Sequence, residues 1–165
     1  MSGSEAAAKA RRRLVEVTLD ETSIGRGSPD QEHERAIAIY DLVQENSFAL
    51  PDRDDGPYKL RVALQDGKLA LDIEPSRGDE RAEHVLPLAS FRTLLKDYFL
   101  ICESYYAAVR TATPTQIEAL DRNRRAIHDE AAAIVSERLA GKIEIDSETA
   151  RRIFTLISAL HWKKT

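Results

Sequence analysis

The chain has 165 residues, of which 42 % are hydrophobic and 32 % charged, with a formal net charge of −4. This composition excludes a disordered or fibrous chain, and a single cysteine excludes an intrachain disulfide framework, so one globular domain in a reducing cytoplasm is expected. No apolar run reaches the roughly 18 residues of a spanning helix, and no apolar stretch follows the basic start as an export signal would require.

Residues 1–13 carry Lys9, Arg11, Arg12 and Arg13 against Glu5, a net of +3, which leaves −7 on the rest of the chain. An acidic body argues against a duplex nucleic-acid footprint, which needs a clustered basic face. The string "SEAAAK" resembles a helical linker unit. Residues 1–13 therefore read as a disordered, basic, Ala-rich tail set aside from the fold, and residues 14–165 as one domain.

In "LVEVTL", Leu14–Leu19, Val15, Val17 and Leu19 alternate with Glu16 and Thr18, the period of a half-buried strand. Ser28 then caps a helix with Pro29 at its first position and Gln31 at its third. That helix is expected to run to about Ser47 and to bury Ile37, Tyr40 and Val43. In "YKLRVALQDGKLALDI" the pair Asp66-Gly67 supplies the positive φ angles of a two-residue hairpin turn. Pairing Leu64 with Leu69, Val62 with Leu71 and Leu60 with Ile73 puts all six on one face, with Lys59, Arg61, Asp72 and Glu74 on the other. A third strand is expected near Glu83 to Leu86.

From Ser90 the period becomes helical. Phe91, Leu94, Leu95, Tyr98, Cys102, Tyr105 and Val109 recur at steps of three and four and form one stripe. Cys102 lies within that stripe and reads as a small buried hydrophobe, since no cation, histidine or helix N-terminus stands beside it in sequence. Thr113, Pro114 and Gln116 open the next helix, which stops at Gly141, and the short connection makes the two helices antiparallel neighbours. Asp146 or Ser147 opens a last helix whose "IFTLISAL" is apolar on nearly every side, marking it as central to the core or part of an interface.

Motifs with chemical meaning are few. "HERAI" has Ile37 where a zinc-protease helix needs its second histidine, and "GRGSPD" has Asp30 where the dinucleotide fingerprint needs glycine. His33, His84, His128 and His161 fall on different elements, so neither a metal nor a cofactor is expected. Arg124 is the polar residue out of place, because it stands in the apolar stripe of Ile117, Leu120, Ile127 and Ala131. It must snorkel, pair with an acid or hold an anion. His128 follows four residues later on the same face.

Two functional readings follow. The first is a non-enzymatic binding or regulatory module that contacts a protein partner or a second copy through Phe154, Leu160, His161 and Trp162, aromatic side chains being frequent binding anchors. The second is an enzyme or sensor for a small anionic metabolite, held by Arg124 and His128 with help from Arg26 or Arg110. In that reading His128, Arg124, Asp97 and Glu103 would do the acid–base work.

The strings "VTLDETSIGR", "EHERAIAIYDLVQENSF", "DYFLICESYYAAVRTATPTQIEALD" and "RRIFTLISALHW" together resemble the uncharacterised protein family 0262 of alphaproteobacteria, over about Leu14 to Trp162. The resemblance implies a bacterial cytoplasmic protein and supplies neither an activity nor catalytic residues. The expected fold is α+β, with four helices packed on a small antiparallel sheet in a single domain.

Overall fold

The computed structural model describes residues 2–161. In chain order the elements are α1 (Ser2–Arg11), β1 (Leu14–Leu19), α2 (Glu21–Ile24), α3 (Pro29–Gln44), β2 (Phe48–Ala49), β3 (Tyr58–Gln65), β4 (Lys68–Pro75) and β5 (Ala82–Pro87). A 3-10 turn at Ala89–Phe91 leads into α4 (Arg92–Thr111), α5 (Pro114–Leu139), β6 (Glu144–Ile145) and α6 (Ser147–His161). The fold is α+β, and two short helices, α1 and α2, join the four long ones read from periodicity.

The hairpin has the register dictated by its turn and its alternation, with Leu60 opposite Ile73, Val62 opposite Leu71 and Leu64 opposite Leu69. Asp66 and Gly67 take φ values of 53° and 74°, as a two-residue turn between twisted strands requires. Leu60, Val62, Leu69, Leu71 and Ile73 are buried. On the opposite face Lys59 pairs with Glu16 at 3.8 Å, and Arg81 with Asp72 at 3.0 Å and Glu74 at 3.4 Å. That face is a solvated sheet of ion pairs.

The sheet order is β1-β3-β4-β5, and β1 runs parallel to β3. An all-antiparallel sheet was the expectation; the sheet is mixed. The physical reason lies in the connection, because α2 and α3 stand between β1 and β3 and a parallel pair needs such a crossover. Strand alternation in "LVEVTL" carries no information on direction.

Residues 11–13 are built into this arrangement, unlike the tail expected from charge. The Phe48 and Tyr58 amides donate to the Arg12 and Arg13 carbonyls, each at 2.9 Å. The Arg13 guanidinium donates to the Val43 carbonyl at 2.8 Å and so closes the C-terminal end of α3. Gly56 lies so near that a Cβ there would fall 1.7 Å from the Arg11 carbonyl oxygen. Two of these contacts are backbone–backbone and the third runs from the Arg13 side chain to a carbonyl 30 residues away, and composition foretells none of them.

On α3 the Ser28 cap forms as read, accepting from the Gln31 amide at 3.2 Å. Its buried face, however, is Arg35, Ala38 and Leu42, while Ile37 and Tyr40 are exposed and Val43 is only partly buried. The small Ala38 lets α3 approach α6, and Arg35 reaches the end of α6, so packing selects a face that is less apolar than the one periodicity favours. The helix stops at Gln44, before the expected Ser47, because Asn46 and Ser47 are engaged elsewhere. The Asn46 amide brackets Leu14, accepting from its N–H at 2.8 Å and donating to its carbonyl at 3.0 Å, and the Ser47 amide donates to Thr149 Oγ1 at 2.8 Å.

The long helices neighbour one another in the order α3–α6–α5–α4. Thr113 and Gln116 close a reciprocal capping box between α4 and α5. Past the end of α5, Gly141 takes a φ of 78°. Asp146 Oδ1 accepts from the Thr149 amide at 2.8 Å and opens α6. Phe154, Leu156, Ile157, Ala159 and Leu160 of α6 are all buried, so this helix is the centre of the core. Its seam with the sheet leaves an apolar void of only about 20 Å³.

Candidate functional site

The side chains singled out on α4 and α5 meet above α6. Tyr98 from α4, His128 from α5 and Phe154 from α6 form an edge-on aromatic cluster, with ring centroids 5.7 Å (Tyr98–His128), 5.6 Å (Tyr98–Phe154) and 5.2 Å (His128–Phe154) apart. Phe91 extends it at 6.3 Å from Phe154. Spacing on each helix placed these residues on inward stripes; the hairpin and α6 bring the stripes together.

His128 has one hydrogen bond, between Nε2 and Thr155 Oγ1 at 2.9 Å. Thr155 spends its own proton on the Arg151 carbonyl at 3.1 Å, so its oxygen must accept from His128 Nε2–H. The neutral tautomer is thereby fixed, and Nδ1 is buried without a partner. Burial first, then the positive charges of Arg151 and Arg124, push the imidazole down to about 4. With its pKa held at about 4, His128 is neutral at physiological pH, which counts against the acid–base role read for it.

A pH dependence follows. The unfolded chain binds the proton near 6.5 and the folded chain only near 4, so stability is lost as pH falls through that window and no further below it. His128→Asn should flatten that part of the stability profile. The check is the urea midpoint measured from pH 7 to 4 for both proteins; parallel profiles would refute the assignment.

Arg124 stands beside this cluster with its guanidinium carbon 4.5 Å from the centre of the Tyr105 ring. It also donates to Asp121, which in addition binds Arg125 on the same helix. Arg125 and Arg124 hold the Asp121 carboxyl below the usual carboxylate range. The stripe arginine is thus answered by an acid on its own helix and by an aromatic face. Cys102 is half-buried, and burial pushes its thiol up, which suits the packing role read for it.

The remaining candidates do not converge here. Asp97, Glu103 and Arg110 on α4 are exposed, as is Arg26 in the loop before α3. The anion pocket of Arg124, His128, Arg26 and Arg110 is therefore not assembled: His128 Nδ1 is sealed, its Nε2 is committed to Thr155, and Arg124 is occupied by Asp121. Among the described residues no group of three or more His, Cys, Asp or Glu could hold a metal ion. Phe154 and Leu160, expected on an interaction surface, are covered by the chain itself, and half-buried His161 donates Nδ1–H to the Ile157 carbonyl at 2.8 Å. Trp162 lies outside the described residues.

Two features escaped the sequence reading. On α4, Leu100 and Tyr106 are 54 % and 67 % exposed outside the inward stripe, and Val109, read as part of that stripe, is 53 % exposed because it lies near the end of the helix. A groove of about 270 Å³ also runs between α3 and α6, lined by Tyr40, Asp41, Glu45, Arg152 and Thr155 among others. Arg152 faces Glu45 there at 3.6 Å, so the groove carries excess negative charge, the wrong sign for an anionic ligand. Exposure of a residue within an amphipathic stripe depends on where the neighbouring helix stops, and no local pattern reports that.

Among the described residues no helix is long and apolar enough to cross a membrane. No solved structure matches this chain. A family model described as "Uncharacterised protein family (UPF0262)" matches residues 11–163. A UPF0262 protein of Rhodopseudomonas palustris (strain BisB18) is 57 % identical over 154 residues, covering 93 % of this chain and 94 % of the relative. One from Nitrobacter winogradskyi is 56 % identical, covering 93 % and 92 %, and one from Chelativorans sp. (strain BNC1) is 53 % identical over 163 residues, covering 98 % and 99 %. The matched region starts at Arg11, the residue from which the N-terminal segment packs on the body. With family model and relatives in agreement along nearly its whole length, the chain belongs to uncharacterised protein family UPF0262, to which no function is assigned.

Proposed function

We propose that this chain is a non-enzymatic protein-binding module of the bacterial cytoplasm, and that the outer half of α4 is its contact surface. The observation that carries this reading is the 67 % exposure of Tyr106 on a flank of α4, with Leu100, 54 % exposed, on the outward side of the same helix. Aromatic residues anchor many interfaces, and a tyrosine held in solvent on a rigid helix is such an anchor. The sheet face bearing Lys59, Arg61 and Asp72 is covered by ion pairs, and its exposed apolar side chain, Val85, is 43 % exposed and not aromatic. The lone half-buried thiol suits a reducing compartment.

The test is a photo-crosslinking side chain placed at Tyr106 and, as a control, at Lys59, in cells of the natural host. Discrete adducts from position 106 and none from position 59 are expected. Equal labelling from both, or none from 106, would defeat the assignment.

A further inference from the structure

We infer that the partner recognised by this face is a second copy of the chain, docked with α4 antiparallel to its counterpart across a two-fold axis midway between Tyr106 and Ala107. The inference rests on the reading of α4 as the contact surface and goes beyond it by naming the occupant.

Phe99, Glu103, Tyr106 and Arg110 follow one another at steps of four, three and four, so they line one flank of α4. This flank lies about a quarter turn from the inward stripe of Leu95, Tyr98, Cys102 and Tyr105, and its Phe99 is partly buried against the core while Glu103, Tyr106 and Arg110 are exposed. Leu100 and Ala107 border it. Glu103 and Arg110 are both exposed and neither has an ion-pair partner in the described chain, so both charges are free to meet a partner's. Glu103 and Arg110 are seven residues apart, about 10 Å along the axis, which is too far for them to pair with each other.

Their placement is symmetric. Glu103 stands as far before the Tyr106–Ala107 midpoint as Arg110 stands after it. A two-fold crossing at that midpoint sets Glu103 opposite Arg110 of the second copy, and Arg110 opposite its Glu103. The same operation sets the large Tyr106 against the small Ala107, twice, so each tyrosine fills the space that an alanine leaves. A parallel crossing would instead oppose Glu103 to Glu103 and Arg110 to Arg110, so charge selects the antiparallel arrangement. The two α4–α5 hairpins would then form a four-helix assembly, with each Leu100 near Thr113 and Pro114 of the other copy. A seam of this length lies at the small end of specific interfaces, and a reversible dimer in the micromolar range is expected.

Sedimentation velocity of the purified full chain across that range tests the inference. Wild type should dimerise, and Glu103→Arg or Arg110→Glu alone should weaken dimerisation about tenfold or more by facing like charges. The double variant E103R/R110E should recover near-wild-type association, and a mixture of the two single variants should form heterodimers. All substituted positions are exposed, and circular dichroism confirms that each variant is folded. A wild type that stays monomeric, or a dimer indifferent to these reversals, would overturn the inference. Crosslinking from position 106 separates this failure from that of the contact surface itself. An adduct with a second copy supports the dimer, an adduct with a different protein overturns it while leaving the surface standing, and no adduct overturns both.

Discussion

Arg35→Met is expected to destabilise the protein by about 3 kcal/mol, the scale seen when one partner of a buried charged network is removed. Arg35 is 5 % exposed, in the middle of the buried face of α3. One terminal nitrogen donates to the Gly25 carbonyl at 2.9 Å and to Glu32 Oε1 at 3.0 Å, and the other to the Leu160 carbonyl at 3.2 Å. Leu160 lies in the last turn of α6, where carbonyls have no partner within the helix. The guanidinium therefore ties three segments together: the loop after α2, the first turns of α3 and the end of α6. Methionine keeps much of the stem but leaves the buried Leu160 carbonyl unanswered, while the Gly25 carbonyl can turn to water. Glu32 also accepts from the Gly27 amide at 2.7 Å and is well exposed, so Glu32→Gln should cost about 1 kcal/mol or less. The midpoint of urea unfolding, with its slope unchanged, measures both. A loss below 1 kcal/mol for Arg35→Met would mean that water replaces the arginine at no cost.

Phe154→Ala should cost about 4 kcal/mol, because it removes a fully buried aromatic ring from beneath two helices. The ring is shared by Phe91, Tyr98 and His128, so its loss opens the floor of the cluster on both α4 and α5. Phe154→Leu keeps most of the volume and should cost far less. The variants also differ in acid behaviour. Hydration of the cavity in Phe154→Ala should let the His128 imidazole rise from about 4 toward its ordinary value, weakening the acid destabilisation between those limits. Heteronuclear NMR titration of the imidazole reads this directly, and an unmoved titration would show that Arg151 and Arg124, rather than burial, hold the ring neutral.

Neither residue's role is legible from local pattern alone. Phe154 was apolar and aromatic in a helix apolar all round, which is equally compatible with a core and with an interface. Only the placement of α3 and α5 on either side of α6 decides for the core. Arg35 gave no signal, because a charged residue every few positions is what any surface helix carries. Its burial follows from the position of the α6 C-terminus, 125 residues away along the chain. Arg124 was legible, since a charge inside an apolar stripe breaks the pattern, but its partners were divided between the near and the far. Asp121 lies three residues before it, while Tyr105 belongs to the facing helix.

What the sequence determined by itself is local. The Asp66-Gly67 turn with its alternating flanks set the hairpin and its register, Ser28 and Thr113 followed by proline set two helix starts, and Gly141 marked a helix end. Each depends on φ angles, hydrogen bonds and side-chain periods spanning only a few residues. The tertiary structure decided the direction of β1, the face on which α3 packs, the incorporation of Arg11–Arg13, the neutrality of His128 and the exposure of Tyr106. These depend on what lies across a contact from residues distant in sequence. A periodic pattern says that a face is apolar; the packed chain determines what covers it.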